Sequence, residues 1–461
     1  MSIQELLPIL AAIVGDGHVR TDDESRVAYG TDALKRGYPA DAVVTPASTA
    51  EVAGVVQACA ALGVPFVPRG GGTGYTGGAV PLHGGVVISM ERMNRILEID
   101  EQNLLAVVEP NVITSDLQDA VERIGLFYPP DPASLKQSAI GGNVAECAGG
   151  PRAFKYGTTK KYVLGLEAVL PTGEVIETGG KVVKSVVGYD LTQLLVGSEG
   201  TLAIITKIIL RLVPKPPVQA TLRASFVDVT SAAAAVTEMI RNRVVPAAVE
   251  LIDGESLEAV AKYLNVRSLA PEGTAALLLV EVDGTPNAVA EEASRVEDAC
   301  RTAGATEILR ARDEAERREF WRVRRELSLS LKMITPLKFN HDVVVPKGRI
   351  PELFALIAGI RDAYALRIPC FGHAGDGNIH INIMVSPDDV EEVKRAHEAE
   401  KVLFEGVVAL EGSISGEHGI GFSKAPFLPI ELSPDEIALM KRIKAAFDPQ
   451  NLLNPGKIFP A

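Results

Sequence analysis

The stretch PRGGGTGYTGGA, residues 68–79, places six glycines directly after a predicted strand. Because glycine has no Cβ, successive backbone N–H groups in such a loop can turn inward and approach a diphosphate closely. A flexible surface loop is the alternative for an isolated glycine cluster. The pattern GxGxxG occurs from Gly72 to Gly77, but no helix or downstream acidic partner follows, which argues against a Rossmann-type nicotinamide site. The loop therefore predicts a phosphate cradle of another kind.

The residues on either side of this loop alternate between strand and helix patterns. Residues 40–68 predict a strand, a helix and a second strand, with Ser48 as the helix N-cap, Glu51 three residues later and Gly63 as the stop. From residue 86 to 206, β-rich runs alternate with short helical stretches. This order is typical of an α+β domain rather than of a repeat protein.

The chain is long enough for more than one core, and a proline-rich segment marks the expected boundary. At 461 residues it exceeds the usual size of a single domain, and VPKPPV, residues 213–218, ends a strand and stiffens a connection. We therefore expect a first domain over 1–215. A second α/β domain with an antiparallel sheet is predicted over 216–425, followed by a helical segment over 426–461.

Composition excludes several classes of protein. The net charge of −13 comes without a clustered Lys/Arg face, which argues against a nucleic-acid partner. The four cysteines lie far apart, so an iron-sulfur cluster within this chain is not expected. The first residues, MSIQELLPILAAIVGDGH, predict an amphipathic helix rather than a signal peptide, and no apolar run reaches the roughly 20 residues of a transmembrane helix. We expect a cytoplasmic location.

Two glycine-rich segments in the second half bring histidines together. RIPCFGHAGDGNIHINIM, residues 367–384, carries His373 and His380 around a turn, and a strand then puts His380 and Asn382 on one face. GSISGEHGIG, residues 412–421, supplies Glu417 and His418. Two imidazoles and a carboxylate suit Zn²⁺ or Mn²⁺ and leave positions open for a substrate. A hydrogen-bonded structural role is the alternative for each histidine taken alone.

A basic helical stretch, FWRVRRELSLS at residues 320–330, offers a third candidate site. An arginine fork binds a carboxylate through two parallel hydrogen bonds, and this stretch contains Arg322, Arg324 and Arg325. The equal alternative is a solvated helix face on which these arginines pair with Glu319 and Glu326.

Three segments together resemble the FAD-binding domain of the vanillyl-alcohol oxidase superfamily, the p-cresol methylhydroxylase type with two subdomains. They are PRGGGTGYTGGA, SAIGGNVAECAGG at 138–150 and GSEGTLAIIT at 197–206. The resemblance implies FAD, and it implies a non-covalent flavin because the loop holds no His or Cys. The implied FAD contacts are Arg69, Gly70, Gly71, Gly72, Thr73, Gly74, Thr76, Gly77, Gly78, Pro129, Ser138, Gly142, Asn143, Gly149, Gly157, Glu199, Gly200, Ile205 and Asn454. Two alternatives stay open: Gly149 forms a simple turn, and Glu199 caps the following strand or pairs with Lys207.

The motifs HxGDGNxH and GEHG resemble the D-2-hydroxy-acid dehydrogenase branch, which includes glycolate oxidase catalytic subunits, D-lactate dehydrogenases and D-2-hydroxyglutarate dehydrogenases. The resemblance implies a divalent metal, Zn or Mn, held by His373, His380 and Glu417. It also implies His418 as general base, a role that suits an imidazole titrating near neutrality. The implied substrate contacts are Arg324, Ser328, Lys338, Asn382 and His418, where Lys338 matches only with a small shift in spacing.

The predicted reaction is the oxidation of a small D-2-hydroxy acid to its 2-oxo acid. D-lactate, glycolate and D-2-hydroxyglutarate are the candidates, with hydride passing to flavin N5 and electrons to an external acceptor. That acceptor is an electron-transfer flavoprotein, an iron-sulfur or quinone-linked partner subunit, or oxygen. A partner would also hold the chain at the inner membrane, and a homodimer stays open. The rival functions are a flavin transferase of the alkyl-dihydroxyacetonephosphate synthase type and a non-catalytic flavin subunit of an electron-transfer complex.

Overall fold

The computed structural model describes residues 3–460, and both helices and sheets are present, as the α+β prediction requires. The helices are α1 (Ile3–Val14), α2 (Asp23–Ala28), α3 (Thr49–Leu62), α4 (Thr114–Glu122), α5 (Ile140–Glu146), α6 (Ala153–Tyr156), α7 (Leu191–Leu195), α8 (Val229–Arg241), α9 (Gly254–Tyr263), α10 (Pro286–Thr302), α11 (Glu314–Ser330), α12 (Ile350–Tyr364), α13 (Val390–Ala409), α14 (Leu428–Glu431) and α15 (Pro434–Phe447). The strands are β1 (Val19–Arg20), β2 (Ala42–Val44), β3 (Phe66–Arg69), β4 (Val86–Ser89), β5 (Ile96–Asp100), β6 (Leu105–Val108), β7 (Leu126–Phe127), β8 (Val163–Val169), β9 (Val175–Gly179), β10 (Ile204–Arg211), β11 (Val213–Pro214), β12 (Val218–Phe226), β13 (Ala248–Asp253), β14 (Ala276–Gly284), β15 (Glu307–Arg310), β16 (Leu337–Val344), β17 (Cys370–His373) and β18 (Asn378–Val385).

Helix α3 begins and ends where the sequence predicts. The Ser48 hydroxyl accepts a hydrogen bond from the Glu51 amide at 3.2 Å, and the Glu51 carboxylate accepts one from the Ala47 amide at 2.8 Å. The first bond satisfies an amide that the first turn leaves without a helical partner, and the second ties the residue before the N-cap to the helix. Gly63 ends the helix at φ 65°, the left-handed conformation that glycine adopts without strain.

The chain divides into two compact units. The first unit takes the described residues through Gly149, then Thr158–Lys215, and everything from Glu417 onward. Its two larger sheets have the strand orders β1-β2-β4-β3 and β5-β6-β10-β8-β9. Helices α1 and α3 bury their apolar faces on the first of these sheets, in a core that includes Phe66 at the start of β3. Strand β3 therefore leads from this core directly into the glycine loop.

The second unit consists of Gly150–Gly157 and Pro216–Gly416. Its strands, taken over the described part of the chain, form one antiparallel sheet in the order β15-β12-β14-β13-β17-β18-β16. Strands β17 and β18 carry the HxGDGNxH motif and lie between β13 and β16. Helix α11 buries Phe320, Val323 and Leu327 in the same apolar cluster as Ile252 of β13. The basic helix and the histidine motif thus belong to one unit.

The units differ from the predicted segments 216–425 and 426–461. Residues from Glu417 onward group with the first unit because the tail extends the sheet beside β3. The Phe66 amide donates to Leu452 O at 2.9 Å, and the Asn454 amide donates to Phe66 O at 2.8 Å. No sequence pattern marks such a distant pairing. Met1, Ser2 and Ala461, which the predicted segments include, lie outside the described residues.

The short segment 150–157 belongs to the second unit because polar contacts attach it to β14. Lys155 Nζ donates to Asp283 Oδ1 at 2.5 Å, and the Tyr156 hydroxyl donates to Asp283 Oδ2 at 2.7 Å.

None of the helices within residues 3–460 combines the length and apolar character that a bilayer crossing requires.

Candidate active site

The first half of the glycine loop lies against the second glycine-rich segment of the first unit. A Cβ placed on Gly71 would stand 2.3 Å from Gln137 O, and one on Gly70 would stand 3.6 Å from the Gly142 amide nitrogen. The approach at Gly71 requires a residue without a side chain, because a Cβ there would overlap the Gln137 carbonyl oxygen. A Cβ on Gly142 would meet nothing within 4 Å, so there is open space beside the adjoining backbones. This arrangement fits a diphosphate cradle of the kind that FAD needs.

Arg69 supports the loop from inside the first unit. Its Nη1 donates to Thr31 O at 2.7 Å and to Tyr29 O at 3.3 Å, and its guanidinium lies so close to Gly72 that a Cβ there would be 2.2 Å from Nη2. Burial lowers the pKa of Arg69, although the carboxylate of Asp32 opposes the change. Sequence reasoning missed Asp32, whose pKa burial raises to about 6.

The second half of the glycine loop holds His418, the predicted base. Tyr75 stacks on the His418 ring with centroids 5.2 Å apart, and the Thr76 hydroxyl donates to His418 O at 3.1 Å. Gly77 has φ 80°, and a Cβ there would be 2.0 Å from a ring carbon of Phe422. The structure thus brings the predicted FAD loop and the GEHG loop together within one unit.

Glu199 and Asn454 fasten these two loops. The Glu199 carboxylate accepts hydrogen bonds from the amides of Ile420 at 2.8 Å and Gly421 at 2.6 Å. Asn454 Nδ2 donates to Gly78 O and to Glu199 O, both at 2.9 Å. Burial raises the pKa of Glu199, while the two amide hydrogen bonds oppose the change.

The alternative that pairs Glu199 with Lys207 is wrong. Lys207 binds Glu167 instead, with Nζ 2.7 Å from Oε2, because the two residues are opposite each other on β10 and β8. The side chains of Glu199 and Asn454 both form hydrogen bonds with other protein groups. We therefore expect them to support FAD binding by holding the two loops in place.

The other predicted FAD residues fall into four groups. Ser138 and Asn143 both bind the buried Thr114 hydroxyl, at 2.9 Å and 2.7 Å. Gly149 lies beside Glu417, where a Cβ would be 2.6 Å from Oε2, so this position permits more than a simple turn. Gly157 ends α6 and belongs to the second unit. The remaining positions, all in the first unit, are Thr73, Gly74, Pro129, Gly200 and Ile205.

His373 and His380 lie side by side in the second unit. His373 ends β17 and His380 lies on β18, with ring centroids 5.2 Å apart and the ring planes nearly perpendicular. Both are buried. His373 Nδ1 is 2.5 Å from Oε1 of Glu250 on β13, a residue that sequence reasoning missed. Burial would raise the pKa of Glu250, but the charges of Arg324 and His373 lower it to about 2.

A second missed carboxylate, Asp342, lies beside His380. The two residues are opposite each other on β16 and β18. The atoms through which each could bind a metal are within 4.8 Å of each other. Asp342 accepts hydrogen bonds from Asn378 Nδ2 at 2.7 Å and from the Gly416 amide at 3.0 Å. The one available signal was an acidic residue within the predicted strand NHDVVV, residues 340–345. Imidazole and carboxylate donors in this unit fit a borderline divalent ion such as Zn²⁺ or Mn²⁺.

Arg324 differs from Arg322 on the same helix in burial and in its partner. Its side chain is buried, and its Nε donates to Oε2 of Glu250. Neither Nη nitrogen has a hydrogen-bond partner within residues 3–460. Arg322, by contrast, is half-exposed and pairs with Glu319 at 2.7 Å. The solvated-face alternative therefore describes Arg322 and not Arg324.

The other predicted substrate contacts already have protein partners. Lys338 Nζ donates to the Ser328 hydroxyl at 2.8 Å, so these two candidates are adjacent. Asn382 is fully buried on β18, and its Oδ1 accepts from Asn340 Nδ2 at 2.7 Å. The two described units hold the predicted set in this way: Arg324, Ser328, Lys338, Asn382, His373 and His380 in the second, and Glu417 and His418 in the first.

Comparisons with known proteins match almost the whole chain. Family models match residues 40–179, described as "FAD binding domain", and residues 215–458, described as "FAD linked oxidases, C-terminal domain". Glycolate oxidase subunit GlcD of Bacillus subtilis (strain 168) is 42% identical over 98% of this chain and 96% of its own length. D-lactate dehydrogenase of Anaerostipes hadrus is 38% identical over 91% of this chain and 89% of its own length.

The fold also matches a solved structure. The 4-ethylphenol oxidase of Gulosibacter chungangensis, in its isoeugenol complex, has a TM-score of 0.80 at 21% identity, over 99% of this chain and 97% of that one. At this identity the match concerns the fold alone, which is the p-cresol methylhydroxylase type that the sequence predicted.

Proposed function

This chain belongs to the FAD-linked oxidase family and is an FAD-dependent oxidoreductase, and on that premise we propose that it oxidises a small D-2-hydroxy acid to the 2-oxo acid. Glycolate, D-lactate and D-2-hydroxyglutarate are the candidate substrates. The similar proteins include a glycolate oxidase subunit and a D-lactate dehydrogenase, which supports this class of substrate without choosing within it.

The observation that carries the proposal is the position of His418. Its ring stacks on Tyr75 and its carbonyl oxygen accepts from Thr76, both within the glycine loop that fits FAD. A general base must lie within hydrogen-bond reach of the hydroxyl proton that it removes. The α-carbon of the substrate must lie close to the flavin to give up its hydride. An imidazole held against the flavin loop would therefore lie close to the hydroxyl group on that carbon. His418 is therefore our proposed base.

Arg324 is the proposed anchor for the substrate carboxylate. Glu250 holds it through Nε, which leaves the two Nη nitrogens to form parallel hydrogen bonds with a carboxylate. The polar surface around the substrate would be completed by three further side chains. These are Ser328 and Lys338, which are hydrogen-bonded to each other, and the buried Asn382. This set of side chains fits a substrate that carries a carboxylate next to its hydroxyl.

His373, His380 and Glu417 remain the proposed metal ligands, with Asp342 as an added candidate. When bound, the metal would act as a Lewis acid that lowers the pKa of the substrate hydroxyl. When bound, FAD would accept the hydride from the α-carbon, and we propose that it is held without a covalent bond. The protein's part is to orient the hydroxy acid with Arg324 and to take its proton with His418.

Electrons would then leave for an external acceptor. The four cysteines do not form an iron-sulfur motif, so a separate electron-transfer flavoprotein, a partner subunit or oxygen would reoxidise the flavin. Turnover with artificial dyes but not with oxygen would favour a protein or quinone acceptor.

The test is anaerobic mixing of the FAD-loaded protein with a panel of D- and L-2-hydroxy acids, followed by the visible flavin absorbance. We expect one or more D-2-hydroxy acids to bleach the flavin, a chelator to abolish bleaching, and added Zn²⁺ or Mn²⁺ to restore it. If dithionite bleaches the flavin and no hydroxy acid does, the proposal is wrong.

The base assignment has its own variant and control. His418→Ala should slow bleaching by at least about 100-fold, the usual contribution of a general base, while the flavin spectrum is retained. His397→Ala, which removes a largely exposed histidine on α13, should bleach at the normal rate. Normal bleaching in His418→Ala would overturn the assignment.

A further inference from the structure

Glu250 connects two residues of the proposed site from a fully buried position. It lies on β13 with no solvent exposure, directly opposite His373 in the strand pairing of β13 and β17. One carboxylate oxygen accepts from Arg324 Nε on α11, and the other is 2.5 Å from His373 Nδ1. The two partners lie on different elements, so the carboxylate is the point at which their orientations are fixed together.

The chemistry of each contact sets what its partner can offer. An ionised carboxylate only accepts hydrogen bonds, so a neutral His373 ring must donate from Nδ1, and in that tautomer Nε2 is the nitrogen that carries a lone pair and can bind a metal. Metal-binding histidines are commonly held by a carboxylate in this way. On the other side, Arg324 uses only Nε and lies 5.0 Å above the Phe371 ring, so its Nη fork is held in one direction.

With the proposed function as the premise, we propose that Glu250 is a positioning residue for both halves of the reaction. It fixes the tautomer in which His373 binds the divalent metal, and it fixes the direction in which Arg324 meets the substrate carboxylate. Metal affinity and substrate affinity therefore depend on the same carboxylate.

Glu250→Gln separates this role from simple packing, because glutamine has nearly the same shape. Its carbonyl oxygen can satisfy Arg324, but its amide group then faces His373 Nδ1 and donates to it. The histidine is driven to the tautomer with hydrogen on Nε2, which cannot bind a metal. The expected loss of Zn²⁺ affinity is about 10- to 100-fold. If the carbonyl turns to His373 instead, Arg324 loses its acceptor and KM rises by about tenfold.

Glu281 provides a matched control in the same sheet. It is buried on β14, next to β13, and its carboxylate binds Arg317 of α11 at 3.2 Å and Trp321 Nε1 at 2.8 Å. Glu281→Gln therefore disturbs a buried glutamate–arginine pair on the same helix without a contact to either histidine. Its Zn²⁺ affinity and KM should stay within about twofold of wild type.

The experiment uses the full FAD-loaded protein, stripped of metal with a chelator and titrated with Zn²⁺ in a calorimeter. The flavin spectrum verifies folding, and steady-state kinetics at saturating metal give KM and kcat for the best hydroxy acid. We expect weaker Zn²⁺ binding or a higher KM in Glu250→Gln and neither in Glu281→Gln. Unchanged values in Glu250→Gln, or an equal loss in Glu281→Gln, would overturn the role.

A measurement on the wild-type protein covers the case in which Glu250→Gln does not fold. The ring ¹⁵N shifts of metal-free protein near pH 8, assigned by comparison with His373→Gln, report which nitrogen of His373 carries hydrogen. We expect a protonated Nδ1, and a bare Nδ1 with hydrogen on Nε2 refutes the proposal. The proposed function fails separately, if wild-type protein binds no Zn²⁺ or if no hydroxy acid bleaches its flavin.

Discussion

Replacing Asp32 by asparagine should change how the stability of the first unit depends on pH. The side chain is 7% exposed, and its Oδ1 accepts from the Leu34 amide at 3.0 Å. Its buried Oδ2 has no hydrogen-bond partner in the described chain. Asparagine keeps the acceptor for Leu34 and carries no charge at the position of Oδ2, so Asp32→Asn removes a buried charge with little loss of contact.

The magnitude follows from the pKa of Asp32, which burial raises from its ordinary 3.8 to about 6. An acid with a raised pKa binds its proton more tightly in the folded state, so the folded protein loses stability as the pH rises from about 4 to about 6. A tenfold change in proton affinity is worth about 1.4 kcal/mol, so the loss is on the order of 3 kcal/mol and is complete above about pH 6. Relative to wild type, Asp32→Asn should therefore gain about 3 kcal/mol between pH 4 and pH 7.

The assay is urea unfolding of FAD-free protein at several pH values, followed by hydrogen-exchange pulse labelling of peptides from α3 and β3. These peptides report the free energy of unfolding of the first unit. Asp22→Asn is the control, because Asp22 is an exposed N-cap whose Oδ1 accepts from the Ser25 amide at 2.8 Å. The same pH dependence in Asp32→Asn and wild type would refute the reasoning.

Three further changes test the first unit. In Glu199→Gln, the side-chain NH₂ group faces the amide of either Ile420 or Gly421, and two donors then meet. The loop at 420–421 should therefore be destabilised by about 1.5–3 kcal/mol. Hydrogen exchange of its amides should become faster, and unchanged exchange contradicts the prediction. Gly77→Ala places a Cβ 2.0 Å from Phe422 at φ 80°, so FAD content measured by absorbance should fall. Gly180→Ala, where a Cβ meets nothing within 4 Å, should retain its FAD. Ser48→Ala should lower the free energy of unfolding in urea by about 1 kcal/mol, and no change would mean that the cap is redundant.

The elements that the sequence predicted well are those that local signals specify. Ser48, Glu51 and Gly63 lie within one helix, and the cap and the left-handed stop act over a few residues. The position of the glycine loop directly after β3 was likewise predictable, because the strand and the closely spaced glycines are both local features of the sequence. The capping partners of the helix lie within a few positions of one another along the chain, whereas the contacts of the glycine loop with Gln137, His418 and Phe422 do not.

The elements that the sequence did not predict depend on partners far along the chain. The predicted segments 216–425 and 426–461 did not group the tail from Glu417 onward with the first unit, because its place beside Phe66 depends on a pairing across almost 400 positions. Asp342 looked like an ordinary charge in a strand, since only the folded sheet places it opposite His380. Local patterns carry no information on such pairings.

Arg324 illustrates how a distant partner decides between two readings of one pattern. On α11 it is one of three arginines, and the sequence left a carboxylate anchor and a solvated helix face equally open. Glu250, 74 residues earlier, buries it and holds Nε, while Arg322 stays half-exposed with Glu319. A buried charge needs a paired charge with good hydrogen bonds, so the residue that keeps Arg324 in the interior must also be the one that sets its direction. Because that carboxylate contacts His373 as well, the two parts of the proposed site that the sequence treated as separate motifs share one positioning group.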